Sequence, residues 1–373
     1  MTPTSNAPTH SDVCPACGKA AMETVLLLAD KATRRCDHCR VEQIISLPPL
    51  NKKIFYLDQN AVSNLAHTRH ATGKSAGSIW GELNGQLSRA VRRQLVVCPG
   101  SFNHQIESAV ATHFEAFMKT AGYFAGTCSF FDFEGIRSHQ IRRCFSAYLE
   151  GAPQMPVRLQ ATDVTQVNPH GWLPIPMLIP LWRMSKEEIN QLRSVREAAY
   201  RDVSDVFAFW KANANRTIEE WKDREIPGAR HYGKLLTPSL PQLSLRYDRD
   251  IGIITKAALE FVTSSAFAEV PYVKISSWLY ATAAKKAASQ KEPPSRGFLA
   301  DVEAIACLLP YCDAMLLDNE CRAYLDELRR AGRLVFDALI FSKSNMAALI
   351  PYLNDLEKNA RSEIVSLAEE LYT

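Results

Sequence analysis

The sequence lacks any apolar run long enough to cross a membrane. The longest candidate, residues 172–182, holds three prolines in eleven residues, whereas a membrane-spanning helix needs about 20 consecutive apolar residues. The N-terminal segment MTPTSNAPTHSD also lacks the basic and apolar regions of a secretory signal peptide. We therefore expect a cytoplasmic protein that has no membrane partner.

Net charge is scarce as well. The 43 Lys and Arg residues nearly balance the 40 Asp and Glu residues, which leaves a formal charge of +3. A charge this small neither requires nor excludes a nucleic-acid partner. Internal repeats and low-complexity tracts are also missing. At 373 residues, of which 47% are hydrophobic, the chain can form two domains, or one domain with a large insertion.

A nucleotide-binding phosphate loop is absent too. The segment Gly73-Lys74-Ser75 ends in the way that such a loop ends. The motif also requires a glycine five positions before its second glycine, and Thr68 occupies that position. We therefore assign no nucleotide-binding role to this segment.

Cysteine, in contrast, is plentiful, and a cytoplasmic protein rarely uses it for disulfides. Four of the ten cysteines form two pairs, Cys14-x-x-Cys17 and Cys36-x-x-Cys39, separated by 18 residues. Two such turns can direct four thiolates onto one tetrahedral zinc ion. A redox role is the alternative, but no βαβ pattern adjoins either pair. The spacing predicts a zinc ribbon with structural Zn²⁺ on these four cysteines, and His38 is an unneeded extra candidate.

The other six cysteines lie in apolar contexts, and we interpret all of them as small buried hydrophobes. They are Cys98, Cys128, Cys144, Cys307, Cys312 and Cys321.

The pattern of strands and helices divides the chain into five segments. Short apolar strands alternate with helices before residue 150 and after residue 295, whereas proline-rich stretches and long helices fill the part between them. This predicts an α/β fold with a parallel sheet flanked by helices, an N-terminal zinc ribbon and a large helical insertion. The predicted segments are 1–12 (disordered), 13–47 (ribbon), 48–149 (first part of the α/β domain), 150–295 (helical insertion) and 296–373 (second part and C-terminal helix).

Two predicted strands end directly on an aspartate. An IFYL run precedes Asp58, and an AMLL run precedes Asp318. Predicted helices carry two further acids, Glu107 and Asp301. Because α/β proteins place their sites at the carboxyl edge of a parallel sheet, these four carboxylates can converge on one spot.

Each acid alone has a simpler explanation. Asp58 and Asp318 could cap the helices that follow them. Glu107 could be solvated, and Asp301 could interact with a helix dipole. All four together need a cation, because like charges a few ångströms apart repel strongly in a low dielectric. Carboxylate ligands favour Mg²⁺ or Mn²⁺ over Zn²⁺, and such sites suit phosphodiester hydrolysis.

Several stretches of the chain resemble the PIN-domain nucleases. Asp58-Gln59-Asn60 after an apolar strand is similar to the D-x-N opening of that family, and CPGSFNHQIE is similar to its second segment. LADVEAIACLLPYCDAMLLDNECRAYL is similar to its most telling segment, a helical acid followed by a short strand that ends in the fourth acid. LVFDALIFSKSNMAALIPYL is similar to the final strand and helix. The resemblance covers roughly residues 52–145 and 296–355.

Two positions depart from the family pattern. Leu316 stands two residues before the fourth acid, where the family usually has Thr or Ser. Glu303 offers a second carboxylate beside Asp301, so the third acid is either of the two. Asp313 is a further candidate, which we expect at the opposite end of the strand from Asp318, in a structural role.

The resemblance implies a PIN-like parallel sheet and a Mg²⁺- or Mn²⁺-dependent endonuclease that uses water as the nucleophile. The catalytic and metal-binding residues would be Asp58, Glu107, Asp301 and Asp318. Asn60 would orient Asp58 or contact a phosphate. His104, one helical turn before Glu107, would contact a phosphate or pack behind the site.

RNA is the expected partner in preference to DNA. Basic residues of the ribbon, Lys19, Arg34, Arg35 and Arg40, could bind backbone phosphates. Two alternatives stay open: an inactive PIN-like module that binds nucleic acid or protein, and a DNA nuclease in defence. The helical insertion could be a lid, a specificity domain, or the surface for a protein partner or a homodimer.

Overall fold

The fold, taken from a computed structural model, combines two separate β-sheets with many helices. The residues that the structure describes are 13–28, 30–70, 78–101, 104, 108, 113–152, 159–172, 185–295 and 297–372. Within these ranges, no helix combines the length and the apolar character that a membrane span requires.

The smaller sheet is the ribbon, an antiparallel meander in the order β1-β2-β3. Its strands are β1 (Met22–Leu27), β2 (Lys31–Cys36) and β3 (Glu42–Ser46). Met22 of β1 pairs with Cys36 of β2. This register places the second cysteine pair beside the start of β1, next to the first pair.

The larger sheet is parallel throughout, in the order β5-β4-β6-β7. Its strands are β4 (Lys53–Leu57), β5 (Val96–Val97), β6 (Ala314–Leu317) and β7 (Leu339–Ser342). Leu57 pairs with Leu316, so the two strands that end on aspartate are direct neighbours. The predicted parallel sheet is confirmed.

Strand β7 begins later than the sequence suggested. The apolar pattern of residues 334–341 predicts one strand over the whole segment, but pairing with β6 starts only at Leu339. The Arg329 guanidinium donates hydrogen bonds to the carbonyls of Phe336 (3.1 Å) and Ala338 (2.7 Å). A side chain therefore binds carbonyls that a longer strand would have offered to the sheet.

Helices surround the parallel sheet and fill the middle of the chain. In chain order they are α1 (Gln59–His70), α2 (Ile79–Arg92), α3 (Phe114–Ala125), α4 (Phe133–Leu149), α5 (Lys186–Ala212), α6 (Ile218–Ala229), α7 (Leu240–Tyr247), α8 (Ile251–Thr263), α9 (Ser265–Ala268), α10 (Pro271–Ala287), α11 (Phe298–Leu308), α12 (Asn319–Arg330), α13 (Leu349–Lys358) and α14 (Ser362–Tyr372). Short 3₁₀ segments lie at Ala161–Asp163, Arg230–Ser239, Leu309–Tyr311 and Met346–Ala348. Helix α5 begins with a capping box, in which Ser185 and Glu188 exchange backbone and side-chain hydrogen bonds.

Both faces of the parallel sheet are buried. Ile54 and Tyr56 of β4 belong to one apolar core, and Phe55 and Leu57 belong to another, as the alternation of side chains along a strand requires. The first core continues without a break into the helical block, which we define as residues 185–287. Its members there include Phe207, Trp210, Trp221, Phe261 and Leu279. The helical block therefore shares its core with the sheet, and the segment boundaries at 149 and 295 remain predictions.

The ribbon packs against the C-terminal helix. Apolar residues of both elements and of the loop around residue 172 form one small core, which includes Ala32, Ile45, Leu47, Trp172, Ile364 and Leu367. Arg34 of β2, whose side chain is 4% exposed, pairs with Glu370 of α14 at 3.3 Å. The hypothesis that Arg34 binds phosphates is therefore wrong, because this guanidinium is buried in the contact between the ribbon and α14.

Candidate metal centres

The two cysteine pairs meet at one end of the ribbon sheet. The four Sγ atoms of Cys14, Cys17, Cys36 and Cys39 lie within 4.8 Å of one another. The Sγ atoms of Cys14 and Cys39 are 3.4 Å apart, and those of Cys17 and Cys36 are 3.7 Å apart. A tetrahedral site with Zn–S bonds of about 2.3 Å places its sulfurs about 3.8 Å apart. The cluster could therefore hold a metal ion and is consistent with structural zinc.

Equivalent turns build the two halves of this cluster. Gly18 and Arg40, which follow Cys17 and Cys39, have φ angles of +71° and +62°. The first half meets this left-handed requirement with glycine, which adopts positive φ without a steric penalty. The second half holds an arginine in the same conformation. His38 lies outside the four-sulfur group and contacts Lys19 instead, with 3.3 Å between Nδ1 and Nζ.

Asp58 and Asp318 cap the helices that follow them. The Oδ1 atom of Asp58 accepts a hydrogen bond from the backbone N–H of Ala61 at 2.7 Å. The Oδ1 atom of Asp318 accepts one from the N–H of Cys321 at 2.6 Å. Both bonds span three residues, as N-cap bonds do. Both aspartates therefore act as N-caps, as the simpler explanation proposed. Each capping bond involves one of the two oxygens of the carboxylate.

The same two aspartates line one small pocket together with Asp301. Asp58 ends β4, Asp318 ends β6 and Asp301 lies in the first turn of α11. The remaining lining residues are Tyr56, Ala304, Leu317 and Cys321. Carboxylate oxygens of Asp301 and Asp318 lie within 4.8 Å of each other. The pairing of β4 with β6 therefore brings three of the four predicted acids to the carboxyl edge of the sheet.

Asp301, and not Glu303, is the acid of α11 that lines the pocket. The Glu303 carboxylate forms an ion pair with Arg137 of α4. The Arg137 guanidinium also lies over the ring of Tyr232, 4.7 Å from its centroid. Residues two positions apart on a helix point about 200° away from each other, so these two acids face different neighbours.

Asp313 lies at the opposite end of β6, as predicted. Its Oδ1 atom accepts a hydrogen bond from Lys53 Nζ at 2.7 Å, and its Oδ2 atom accepts one from the N–H of Ile54 at 2.9 Å. The second bond joins residues 259 positions apart along the chain. Asp313 thus fastens β4 to β6 and has a structural role.

One further predicted site residue, Asn60, is not part of the pocket lining. Glu107 lies outside the described residues. Asn60 is exposed in the first turn of α1, two residues after Asp58. Its carbonyl accepts a hydrogen bond from the Asn64 side chain at 2.7 Å. The Asn60 amide is therefore not part of the described pocket lining.

His104 is buried behind the pocket. Its Nε2 atom donates a hydrogen bond to the carbonyl of Leu57 at 2.6 Å. Its ring stacks on the ring of Tyr56, with 5.5 Å between centroids. Burial lowers the pKa of His104 to about 4, so the ring is neutral at pH 7. This environment favours the packing role over a phosphate contact.

The structure adds Tyr56 and Cys321 to the predicted site. The Sγ atom of Cys321 lies within 4.8 Å of carboxylate oxygens of Asp301 and Asp318, and the residue is 1% exposed. Burial, followed by the nearby carboxylates of Asp318 and Asp301, raises the pKa of this thiol. The interpretation of Cys321 as a buried hydrophobic residue is correct, because it belongs to the main apolar core, but two carboxylates also lie beside it. Its place in the capping turn of Asp318 was the signal in the sequence.

Comparison with known proteins finds no family model, no curated protein and no solved structure that matches this chain. The resemblance to PIN-domain nucleases therefore rests on the motifs alone.

Proposed function

We propose that the protein is a metal-dependent endonuclease that hydrolyses phosphodiester bonds, with RNA as its preferred substrate. The observation that carries the proposal is the convergence of Asp58, Asp301 and Asp318 in one pocket at the carboxyl edge of a parallel sheet. Ligands of open α/β sheets bind at this edge. Three carboxylates in one pocket repel one another, and a divalent cation offsets that repulsion. The order of these acids along the chain resembles that of the PIN-domain nucleases.

These three carboxylates would hold Mg²⁺ or Mn²⁺, because hard cations prefer oxygen ligands. A bound ion of this kind supplies an activated water and neutralises developing negative charge. The protein would contribute by holding these three carboxylates in position. The capping bonds orient Asp58 and Asp318. The ion pair between Arg137 and Glu303 fastens α11, the helix that carries Asp301, to α4.

The proposal extends to the substrate and to the residues around the pocket. Glu107 would be a further metal ligand, as its place in the sequence motif implies. Asn60, exposed in the first turn of α1, could contact a phosphate. The exposed Lys19 and Arg40 of the ribbon could bind the nucleic-acid backbone, while structural Zn²⁺ would hold the ribbon together.

A cleavage assay with two matched variants tests the proposal. Pooled RNA and pooled single-stranded DNA are incubated with Mg²⁺ or Mn²⁺ and with wild type, Asp58→Asn or Asp132→Asn. Asp132 caps α4 through the N–H of Gly135 at 2.7 Å, the same i to i+3 bond that Asp58 makes. Asn replaces Asp as an N-cap at little cost, so both variants should fold.

The two variants should differ only in cleavage. Asp58→Asn should lose at least about 100-fold, the upper end of the cost of losing even an indirect partner of a metal ligand. Asp132→Asn should cleave as wild type does. Cleavage at the wild-type rate by Asp58→Asn would contradict the nuclease assignment. Cleavage of DNA alone would favour the DNA nuclease instead.

The second candidate is a PIN-like module that binds without cutting. The capping bonds of Asp58 and Asp318 favour it, because they give both aspartates a structural reason to be present. Such a module should bind pooled nucleic acid or a protein partner equally well as wild type and as Asp58→Asn. Neither protein should cleave in the presence of either metal ion.

A further inference from the structure

We propose that Cys321 turns the acidic pocket into a mixed oxygen–sulfur metal site, which shifts its preference from Mg²⁺ toward divalent transition-metal ions. The inference rests on the metal site of the proposed function, but not on the reaction. It names the ion class that the pocket takes: Mn²⁺ ahead of Mg²⁺, and Co²⁺ and Zn²⁺ ahead of both.

The three donor atoms are already close to one another. The Sγ atom of Cys321 and one carboxylate oxygen each of Asp301 and Asp318 lie within 4.8 Å of one another. Atoms bound to a single ion can be at most about 4.6 Å apart, twice a metal–sulfur bond of about 2.3 Å. A small movement therefore brings all three into one coordination sphere. Asp58 lines the same pocket but does not belong to this group of donor atoms.

The local fold fixes the position of the sulfur. Cys321 lies in the first turn of α12, three residues after Asp318, and its N–H donates the capping hydrogen bond to the Asp318 carboxylate at 2.6 Å. Its side chain is buried and lines the pocket. The turn that holds one carboxylate ligand thus also presents the thiol beside it.

The chemistry of sulfur allows Cys321 to favour some metal ions over others. Mg²⁺ demands oxygen ligands and gives up its water reluctantly, whereas Zn²⁺ and its neighbours in the transition series accept thiolate. A buried cysteine is often only a small hydrophobe, as Cys98 is in the core formed by Leu87, Phe124 and others. The two carboxylates beside Cys321 make its surroundings different from those of Cys98.

Cobalt absorption separates these roles. The ribbon of the full-length protein is first filled with one equivalent of Zn²⁺, which four thiolates retain. Co²⁺ is then added to wild type, Cys321→Ser and Cys98→Ser, and the sulfur-to-cobalt charge-transfer band is recorded. Wild type and Cys98→Ser should gain this band. Cys321→Ser should lack it and bind Co²⁺ at least about tenfold more weakly, the lower end of the cost of losing even an indirect partner of a metal ligand. Mg²⁺ binding should be nearly unchanged.

Wild type alone can overturn the inference, so a variant that fails to fold would not block the test. Co²⁺ bound to the zinc-loaded wild type without a sulfur band would overturn the inference. The same holds if folded Cys321→Ser keeps the band. Cleavage in the same samples reports on the nuclease separately. A sulfur band without cleavage of any substrate supports the mixed site and contradicts the nuclease. Cleavage with Mg²⁺ in the absence of a sulfur band supports the nuclease and contradicts the mixed site.

Discussion

At the scale of the residue, Asp58 and Asp318 each join a structural bond to a place in the pocket. Both follow a parallel strand and precede a helix, so one oxygen reaches the first turn of the helix while the carboxylate borders the pocket. A cap requires only an acceptor oxygen, whereas a metal site requires negative charge. Substitutions that change one property at a time therefore separate the two roles.

Asp318 allows this separation to be measured directly. Asp318→Asn keeps the cap and should leave the free energy of unfolding nearly unchanged, whereas Asp318→Ala should lower it by about 1 kcal/mol. Both variants should lose cleavage, because both remove a charge from the pocket. Urea denaturation and a cleavage assay on the same preparations report the two effects. Full cleavage activity in Asp318→Asn would show that Asp318 acts only as an N-cap and would contradict its role as a metal ligand.

His104 should make the stability of the protein depend on pH. Its pKa is about 4 in the folded state and about 6.5 in an unfolded chain. Between these values the unfolded state binds the proton more readily, so the free energy of unfolding falls as the pH drops from 6.5 toward 4. The loss from this residue is at most about 3 kcal/mol.

Urea denaturation of wild type and His104→Gln at pH 7 and pH 5 checks this expectation. The variant should be less stable at pH 7, because it loses the stacked ring beside Tyr56. Its free energy of unfolding should nevertheless change less between the two pH values. Equal changes in both proteins would show that His104 is not the group that titrates.

Single residues also mark where prediction from sequence stops. Asp58 and Asp318 were predictable because an apolar run ends on each of them, and a strand end is visible in the pattern. Cys321 was not assigned to the site, because its place three residues after Asp318 does not by itself distinguish a thiol in the core from a thiol beside a carboxylate. Asp301 and Glu303 could be told apart only once Arg137 was seen to pair with Glu303.

At the scale of the element, the ribbon also stabilises the C-terminal helix α14. Its apolar face covers Ile364 and Leu367 of α14, and its Arg34 pairs with Glu370. The ribbon is a three-stranded sheet too small to supply much apolar core of its own. Bound Zn²⁺ should therefore stabilise the fold of the ribbon, and the folded ribbon should in turn stabilise the position of α14.

Removing zinc should consequently loosen α14 while the parallel sheet stays protected. Elemental analysis should find one zinc ion fewer per chain in Cys17→Ser than in wild type. Hydrogen exchange should then become faster in the ribbon and in residues 362–372, because their shared apolar contact is lost. A protein without zinc whose α14 exchanges as slowly as in wild type would contradict a structural role for the metal.

The limits of strands were harder to predict than their existence. All four strands of the parallel sheet correspond to apolar runs in the sequence, yet β7 begins five residues after the start of its run, at Leu339. The start depends on which group binds the carbonyls of the preceding segment. Here that group is the guanidinium of Arg329. Hydrophobic periodicity does not reveal such a contact between a side chain and the backbone.

At the scale of the whole molecule, the helical block is part of the main core. The sequence indicated its helices, because helical periodicity shows that a helix has a buried face. That pattern does not reveal what covers the face. In the folded chain, Trp221 and Leu279 join the core that also contains Ile54 and Tyr56 of β4. The block thus belongs to the same apolar core as one face of the sheet whose carboxyl edge carries the acidic pocket.

Excising the helical block should therefore abolish cooperative folding. A chain in which a flexible linker replaces residues 185–287 would lose a large part of the apolar core that these residues share with Ile54, Tyr56 and Ile305. Thermal unfolding followed by near-ultraviolet circular dichroism should show no sharp transition, because the buried apolar area that drives folding would be missing. The control is removal of residues 1–47, which leaves the cores on both faces of the sheet intact. That shorter chain should still unfold cooperatively at a lower temperature than wild type. A sharp transition and full cleavage after excision of the block would instead make it an independent domain, and its place in the shared core would then contribute little to folding.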